Sequence, residues 1–159
     1  MPTEIERKFL VVSDAWRAAA LGPALPIRQG YLAAGGATAA SVRLRLAGEQ
    51  AFLTVKGPGL LARAEFEYPV PAAHARAMFE AGLCPPPLIE KRRTRVGHAG
   101  LVWEVDEFAG HLAGLVLAEV ELAAQDQAVP LPSWAGAEVT GDPRYQNAAL
   151  ARAPRPPSR

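Results

Sequence analysis

The run Glu4-Ile5-Glu6-Arg7-Lys8 places two carboxylates and an ammonium at every second residue, and the same spacing of charge returns along the chain. Side chains at i, i+2 and i+4 of a β-strand project from one face. Glu4, Glu6 and Lys8 therefore point together, while Ile5, Arg7 and Phe9 point the other way. Strands normally bury their apolar face and leave the polar one in water. A charged row at strand period, repeated on several strands, predicts a polar interior shaped to hold something charged.

Seven further segments alternate in the strand manner, at roughly Pro26–Ala33, Ala40–Ala47, Ala51–Lys56, Arg63–Val70, Leu88–Val96, Gly100–Phe108 and Leu115–Ala123. Turn signals separate most of them: Gly35-Gly36, Gly48-Glu49, Gly57-Pro58-Gly59, Gly97-His98 and Gly110 to Gly114. Short loops imply antiparallel neighbours. Three helices interrupt the strands. One is capped at Ser13 or Asp14 and runs to about Leu21; one opens at Pro71 and ends at Gly82; one is capped by Asp142 and carries Tyr145, Asn147 and Leu150. The expected fold is α+β: an eight-stranded antiparallel β-barrel with a charged interior and a few outer helices. Closure protects the sheet edges.

Read at period two, Glu4/Glu6, Glu65/Glu67, Glu104/Asp106 and Glu119/Glu121 are acid pairs; Arg43/Arg45, Lys56, Arg63 and Lys91/Arg93/Arg95 are basic positions on faces of the same type. Any one such strand reads more readily as a solvated outer face. Taken together they do not, because the opposite faces are strongly apolar and the amphipathic helices need an apolar sheet surface to cover. Buried like charges are costly unless paired or bound to ions. The interior therefore calls for cations at the carboxylates and an anion at the lysines and arginines. Oxygen ligands without a His or Cys cluster favour Mg²⁺ or Mn²⁺; arginine forks and lysines favour phosphate oxygens.

The 159 residues suffice for one domain, expected over residues 1–151, with 152–159 as a disordered tail rich in proline and arginine. A formal net charge of +1 argues against a nucleic-acid binder. No apolar run matches a membrane span, the charged start argues against a signal peptide, and Cys84 as the lone cysteine excludes an internal disulfide. A cytoplasmic protein fits these features, without membrane or specific nucleic-acid partners and with room for a homodimer.

The ordered set Glu4-x-Glu6-x-Lys8, Arg43-x-Arg45, Thr54-Val55-Lys56-Gly57, Arg63-x-Glu65-x-Glu67, Lys91-x-Arg93, Glu104-x-Asp106, Glu119-x-Glu121, Glu138-Val139-Thr140-Gly141-Asp142 and Arg144-Tyr145-x-Asn147 resembles the CYTH superfamily, the triphosphate tunnel metalloenzymes. The match runs from Thr3 to about Leu150. The resemblance implies an eight-stranded tunnel that binds a triphosphate with divalent metal, Mg²⁺ or Mn²⁺. Glu4, Glu6, Glu119 and Glu121 would hold metal. Lys8, Arg43, Arg45, Lys56, Arg63, Lys91 and Arg93 would bind the triphosphate, and Glu65, Glu67, Glu104 and Asp106 would support the tunnel lining. Glu4, Glu6, Lys8 and Lys91 are the positions closest to the chemistry, in which a metal-activated water attacks a terminal phosphorus.

Within that superfamily the run Arg28-Gln29-Gly30-Tyr31-Leu32 and the Glu138-Val139-Thr140 ending look most like the small bacterial tripolyphosphatase branch. The favoured activity is hydrolysis of inorganic tripolyphosphate. One rival is a class IV-type adenylate cyclase, which would need an adenine pocket; the other is a binding module that holds polyphosphate or nucleotide without turnover, which the intact acid pairs disfavour. Tyr31 either reaches the tunnel mouth or is a core or rim tyrosine. His74, His98 and His111 lack metal-ligand spacing. Cys84 has no adjacent base, Gly57-Pro58-Gly59 reads as a turn rather than a phosphate loop, and Trp16, Trp103 and Trp134 read as packing residues, as do Tyr145 and Asn147.

Overall fold

The alternating segments form nine strands in the computed structural model, which describes residues 2–35, 38–59 and 61–158. Gly36 of the first expected turn and Arg159 of the tail lie outside the described residues. The strands are β1 (Thr3–Val11), β2 (Leu25–Ala33), β3 (Ser41–Ala47), β4 (Gln50–Lys56), β5 (Ala62–Val70), β6 (Ile89–His98), β7 (Leu101–Phe108), β8 (Val116–Glu121) and β9 (Ala135–Glu138). Their order is β5-β4-β3-β2-β6-β7-β8-β1, with every neighbour antiparallel, and β1 returns to β5 through Thr3↔Ala64, Glu4↔Arg63 and Ile5↔Ala62. The barrel is closed with eight strands, as the charge pattern predicts.

The ninth strand departs from the sequence reading. Beyond the stretch that pairs with β5, the same edge of β1 is taken by β9, through Phe9↔Glu138 and Val11↔Ala135. The segment Ala135-Gly136-Ala137-Glu138 has almost no apolar alternation to announce a strand. Small residues serve there because a Cβ on Gly136 would lie 2.5 Å from Val12 Cγ1.

The expected helices form, with shifted character. Ser13 caps a 3₁₀ turn over Asp14–Ala19, its hydroxyl accepting from Ala15 N at 3.4 Å. Pro71 precedes α1 (Ala72–Glu80), and Gly82 follows at φ +70°, a left-handed conformation suited to glycine. The third expected helix is broken in two. Asp142 caps a 3₁₀ turn at Pro143–Tyr145; Gln146 then turns extended at ψ 139°, and α2 (Asn147–Arg152) starts anew. None of the described helices is long and apolar enough to cross a membrane. Residues 153–158 form neither helix nor strand, although Ala153 packs against the barrel and the Ser158 carbonyl accepts from Arg144 Nη1.

Three apolar clusters hold the barrel. On the outer wall, Phe9, Trp16, Val96, Trp103, Val105, Val120 and Trp134 pack together; Trp103 is fully buried, with ring centroids 5.4 Å from Phe9 and 5.5 Å from Trp134. The tryptophans are packing residues. A second outer cluster joins Leu44, Ala51 and Cys84 to Ala75, Met78 and Phe79 of α1. The third fills one end of the barrel. Leu10, Ile89, Phe108 and Leu117 lie two residues beyond Lys8, Lys91, Asp106 and Glu119 on the same inner faces, and Leu112, Leu115, Val139, Tyr145 and Leu150 close over them. Only part of the interior is thus charged; the rest is an apolar plug.

Gly30 lets the Cys84–Leu88 segment lie against the outer wall, because a Cβ there would sit 2.7 Å from both Cys84 Cβ and Leu88 Cδ2. Gly30→Ala is expected to overpack this contact and cost about 1–3 kcal/mol. At about 2–4 °C per kcal/mol, a thermal melt resolves the loss; an unchanged melting temperature would show that the segment is not packed this closely.

Candidate functional site

The register brings most of the predicted charges into one chamber, where acids and bases interleave around a carboxylate-rich end and a cation-rich end. Across β1 and β8, Glu6 faces Glu121 and Lys8 faces Glu119; across β7 and β8, Glu104 faces Glu119. On the other side Arg45 pairs with Gln29 and Arg43 with Tyr31, across β2 and β3.

At the acidic pole, burial in the first place and the Glu119 carboxylate in the second push the Glu6 carboxyl up to about 7. Burial opposes the charge on Glu119 too, but Lys8, Arg93 and Lys91 overcome it and hold that carboxyl well below its usual range. Lys8 Nζ lies 3.5 Å from Glu119 Oε1 and donates to the Tyr145 carbonyl at 2.9 Å. Glu4 is engaged by cations: Lys56 Nζ stands 2.5 Å from its carboxylate and Arg63 Nε 3.6 Å. Lys56 also pairs with Glu65 at 2.9 Å, and Arg63 Nη2 lies 3.6 Å from Glu6. Glu121 stands apart, exposed at the rim beside Arg95, Val102 and Glu104.

At the basic pole, Lys91 Nζ meets Asp106 at 2.6 Å, and Arg93 grips the same carboxylate at 2.7 and 2.8 Å. Arg93 also reaches Glu104 at 3.1 Å and Glu119 at 3.9 Å, so it joins the two poles. Burial disfavours the Asp106 charge, yet Arg93 and Lys91 hold its carboxyl below the usual range. Full burial drives the Lys91 ammonium down to about 7 against the pull of Asp106, with Arg93 and Arg45 adding repulsion. Burial, then Arg43 and Arg93, bring Arg45 down to about 10. Arg43 Nη2 donates to Thr54 Oγ1 at 3.2 Å, and Thr54 passes the bond to Glu67 at 2.8 Å. Two buried donors of this pole, Arg43 Nε and Gln29 Nε2, have no partner among the described residues. A cavity of about 500 Å³ opens beside Arg43, lined also by Tyr31, Lys56 and Arg63 and by Asn147 and Arg152 of α2.

All the predicted residues except Glu121 thus fall within one network. Among the described residues no three acidic, histidine or cysteine side chains converge closely enough to hold an ion by themselves. A hard divalent cation suits such a site when one or two carboxylates bind it and phosphate and water complete its shell. The Glu6–Glu119 pair, where repulsion helps to raise one carboxyl toward neutrality, has that donor chemistry. Three participants have no site role in the sequence pattern: Gln29, which it shows only as a branch marker, and Thr54 and the Tyr145 carbonyl, whose residues it shows only within motifs. Their roles depend on cross-strand register and a chain reversal, which one sequence does not display. Gln29 does share the inner face with Ile27 and Tyr31, and that spacing is the one signal it gives.

Removing the charge on Glu119 should relax Glu6. In Glu119→Gln, a carbon-13 NMR titration of the Glu6 carboxyl is expected to show its midpoint falling from about 7, while remaining above the usual carboxylate value because burial persists. A midpoint that does not move would mean that the two groups do not interact.

Comparison with known proteins bears directly on this geometry. The CYTH domain family model matches residues 2–152. The chain is 43% identical over 155 residues to an inorganic triphosphatase of Acetivibrio thermocellus, covering 97% of this chain and 96% of that one. It is 41% identical over 157 residues to an inorganic triphosphatase of Nitrosomonas europaea, covering 94% and 97%. Among solved structures, that of the inorganic triphosphatase NE1496 superposes with a TM-score of 0.67 at 38% identity, over 96% of this chain and 97% of that one. A putative adenylate cyclase from Bacillus halodurans superposes at 0.60 with 16% identity, over 79% and 84%, a likeness of fold alone. With the closed barrel, its two charged poles and a match from end to end, the chain belongs to the CYTH domain family.

Proposed function

We propose that this protein hydrolyses the phosphoanhydride bonds of a triphosphate in a reaction dependent on Mg²⁺ or Mn²⁺, with inorganic tripolyphosphate as the favoured substrate. The observation that carries this reading is the concentration of both signs of charge inside one barrel: the carboxylates of Glu6 and Glu119 beside the cations of Arg43, Arg45, Lys91 and Arg93. A metal-bound triphosphate carries both complements, an anion for the arginines and a cation for the carboxylates. The two relatives above are named inorganic triphosphatases, and they match nearly the whole chain.

In this reading Glu6 and Glu119 hold the metal, with Glu121 beside Glu6 across the strand pair and Glu4 alongside on β1. A divalent cation bound there supplies charge neutralisation on the phosphate oxygens and a more acidic water. Arg43, Arg45 and Arg93 orient the phosphates, and Asp106 fixes the Arg93 fork. Lys91, buried and held near neutrality, adds a donor at the same pole. Lys56 and Arg63 receive the chain of phosphates at the cavity mouth, where Glu4 and Glu65 keep them in place. Glu67 and Glu104 brace Arg43 and Arg93 from behind.

Product analysis tests the reading. With Mg²⁺ or Mn²⁺, orthophosphate is expected to be released faster from tripolyphosphate than from ATP or thiamine triphosphate. Cyclic AMP and pyrophosphate from ATP would overturn it in favour of cyclisation, and tight binding without product in favour of a binding module.

The division between the poles makes a separate prediction. Glu6→Gln is expected to lose most activity and to regain part of it with excess Mn²⁺. Arg45→Ala is expected to raise KM by about ten- to a hundredfold, as for a lost charged hydrogen bond, with no gain from added metal. Equal rescue of both variants by metal would refute separate roles.

A further inference from the structure

Arg45 is held differently from the other tunnel arginines. Arg43, Arg63 and Arg93 each have a carboxylate within 4.0 Å; among the described residues Arg45 has none. Its side-chain hydrogen-bond partner among the described residues is neutral: Arg45 Nε donates to Gln29 Oε1 at 2.9 Å. Gln29 is fully buried, in register with Arg45 on β3 and with Ile89 on β6, so it stands where the apolar plug meets the basic pole. The orientation of its amide is fixed by chemistry, since the reverse flip would set an NH₂ against the arginine N–H. That leaves Nε2 as a buried donor with no partner among the described residues. Buried polar groups are normally satisfied, and an unsatisfied one calls for an explanation.

The two halves of this carboxamide suit one purpose. A carbonyl on Nε fixes the guanidinium while leaving Nη1 and Nη2 for another acceptor. A carboxylate in the same place would fix it equally well, but would cancel the charge that attracts an anion. The unpaired NH₂ adds a neutral donor beside that charge. We propose that Gln29 is a substrate-binding residue of the tunnel: its carbonyl orients Arg45 without neutralising it, and its free Nε2 donates to an oxygen of the bound triphosphate. This rests on the triphosphate reading above and extends it to a residue that carries no charge.

Two variants of similar size test it, Gln29→Glu and Gln29→Met. The measurements are calorimetric titration of inorganic tripolyphosphate into each protein, the KM and kcat for its hydrolysis with Mg²⁺, and thermal melts of the unliganded chains. Both variants are expected to bind tripolyphosphate about tenfold or more weakly, the scale of one charged hydrogen bond, and to raise KM more than they lower kcat. Gln29→Glu is also expected to melt no lower than the parent, because the acceptor for Arg45 Nε remains. A purely structural role predicts parental affinity for that variant once its stability is parental, so affinity alone separates the two roles. Should Gln29→Glu fail to fold, Gln29→Met decides alone. Parental affinity and KM in the folded variants would overturn the assignment of Gln29 while leaving the triphosphate reading intact. A parent chain that neither binds nor hydrolyses tripolyphosphate would overturn both.

Discussion

The structure depends on burying charge inside a closed barrel. The inner faces of β1, β3, β4, β5, β6, β7 and β8 carry ionisable side chains, and closure through only three residue pairs of β1 and β5 removes most of them from bulk water, with Glu67, Arg95 and Glu121 left exposed. Desolvation disfavours each of the buried charges. The network answers by pairing Lys91 and Arg93 with Asp106, Lys56 with Glu4 and Glu65, and Arg43 with Glu67 through Thr54. What pairing leaves over is the more informative part. One carboxyl is pushed up to about 7, one guanidinium is pushed down to about 10, and two donors have no partner among the described residues. A chain folded for stability alone would do better with apolar residues at such places.

The other half of the interior makes this arrangement stable. The plug of Leu10, Ile89, Phe108 and Leu117, closed by Tyr145 and Leu150, supplies the hydrophobic burial that the charged half lacks. The same C-terminal segment carries the Tyr145 carbonyl that receives Lys8 Nζ, while Lys8 N donates to Thr140 Oγ1 and Lys8 O accepts from Val139 N. Lys8 thereby ties the acidic pole to the chain that closes the barrel. Outside, Trp103 with Phe9 and Trp134, and α1 over Leu44, turn the apolar backs of the same strands into an ordinary core.

How much of this the sequence displays follows from the period of each element. A strand's two faces alternate residue by residue, so spacing alone assigns Glu4, Glu6 and Lys8 to one side and Phe9 to the other. Arg43 with Arg45, Glu104 with Asp106, and Glu119 are placed in the same way, and barrel closure is expected because it protects the edges of so many antiparallel strands. Glu121 shows the limit of the rule: it has the right parity but lies at the strand end, where the barrel opens to solvent. The strand Ala135–Glu138 is not visible in the sequence because small residues chosen for close approach leave no hydrophobic alternation. The plug is not visible either, because parity identifies a face but not the depth along the tunnel axis. Gln29 escapes notice as a participant for a related reason: its partner Arg45 is fixed by β2–β3 register, and a neutral residue among charges does not stand out.

If the barrel interior is a site for a polyanion, its unpaired cations should draw stability from one. A thermal melt over rising tripolyphosphate concentration tests this most directly, with sodium sulfate at matched ionic strength as control. Binding to the folded chain alone stabilises it in proportion to the logarithm of ligand concentration. The melting temperature is expected to climb steadily with tripolyphosphate, to exceed the sulfate control at every ionic strength, and to do so much less in Arg45→Ala. A melting temperature that responds equally to tripolyphosphate and sulfate would contradict a polyanion site in the barrel.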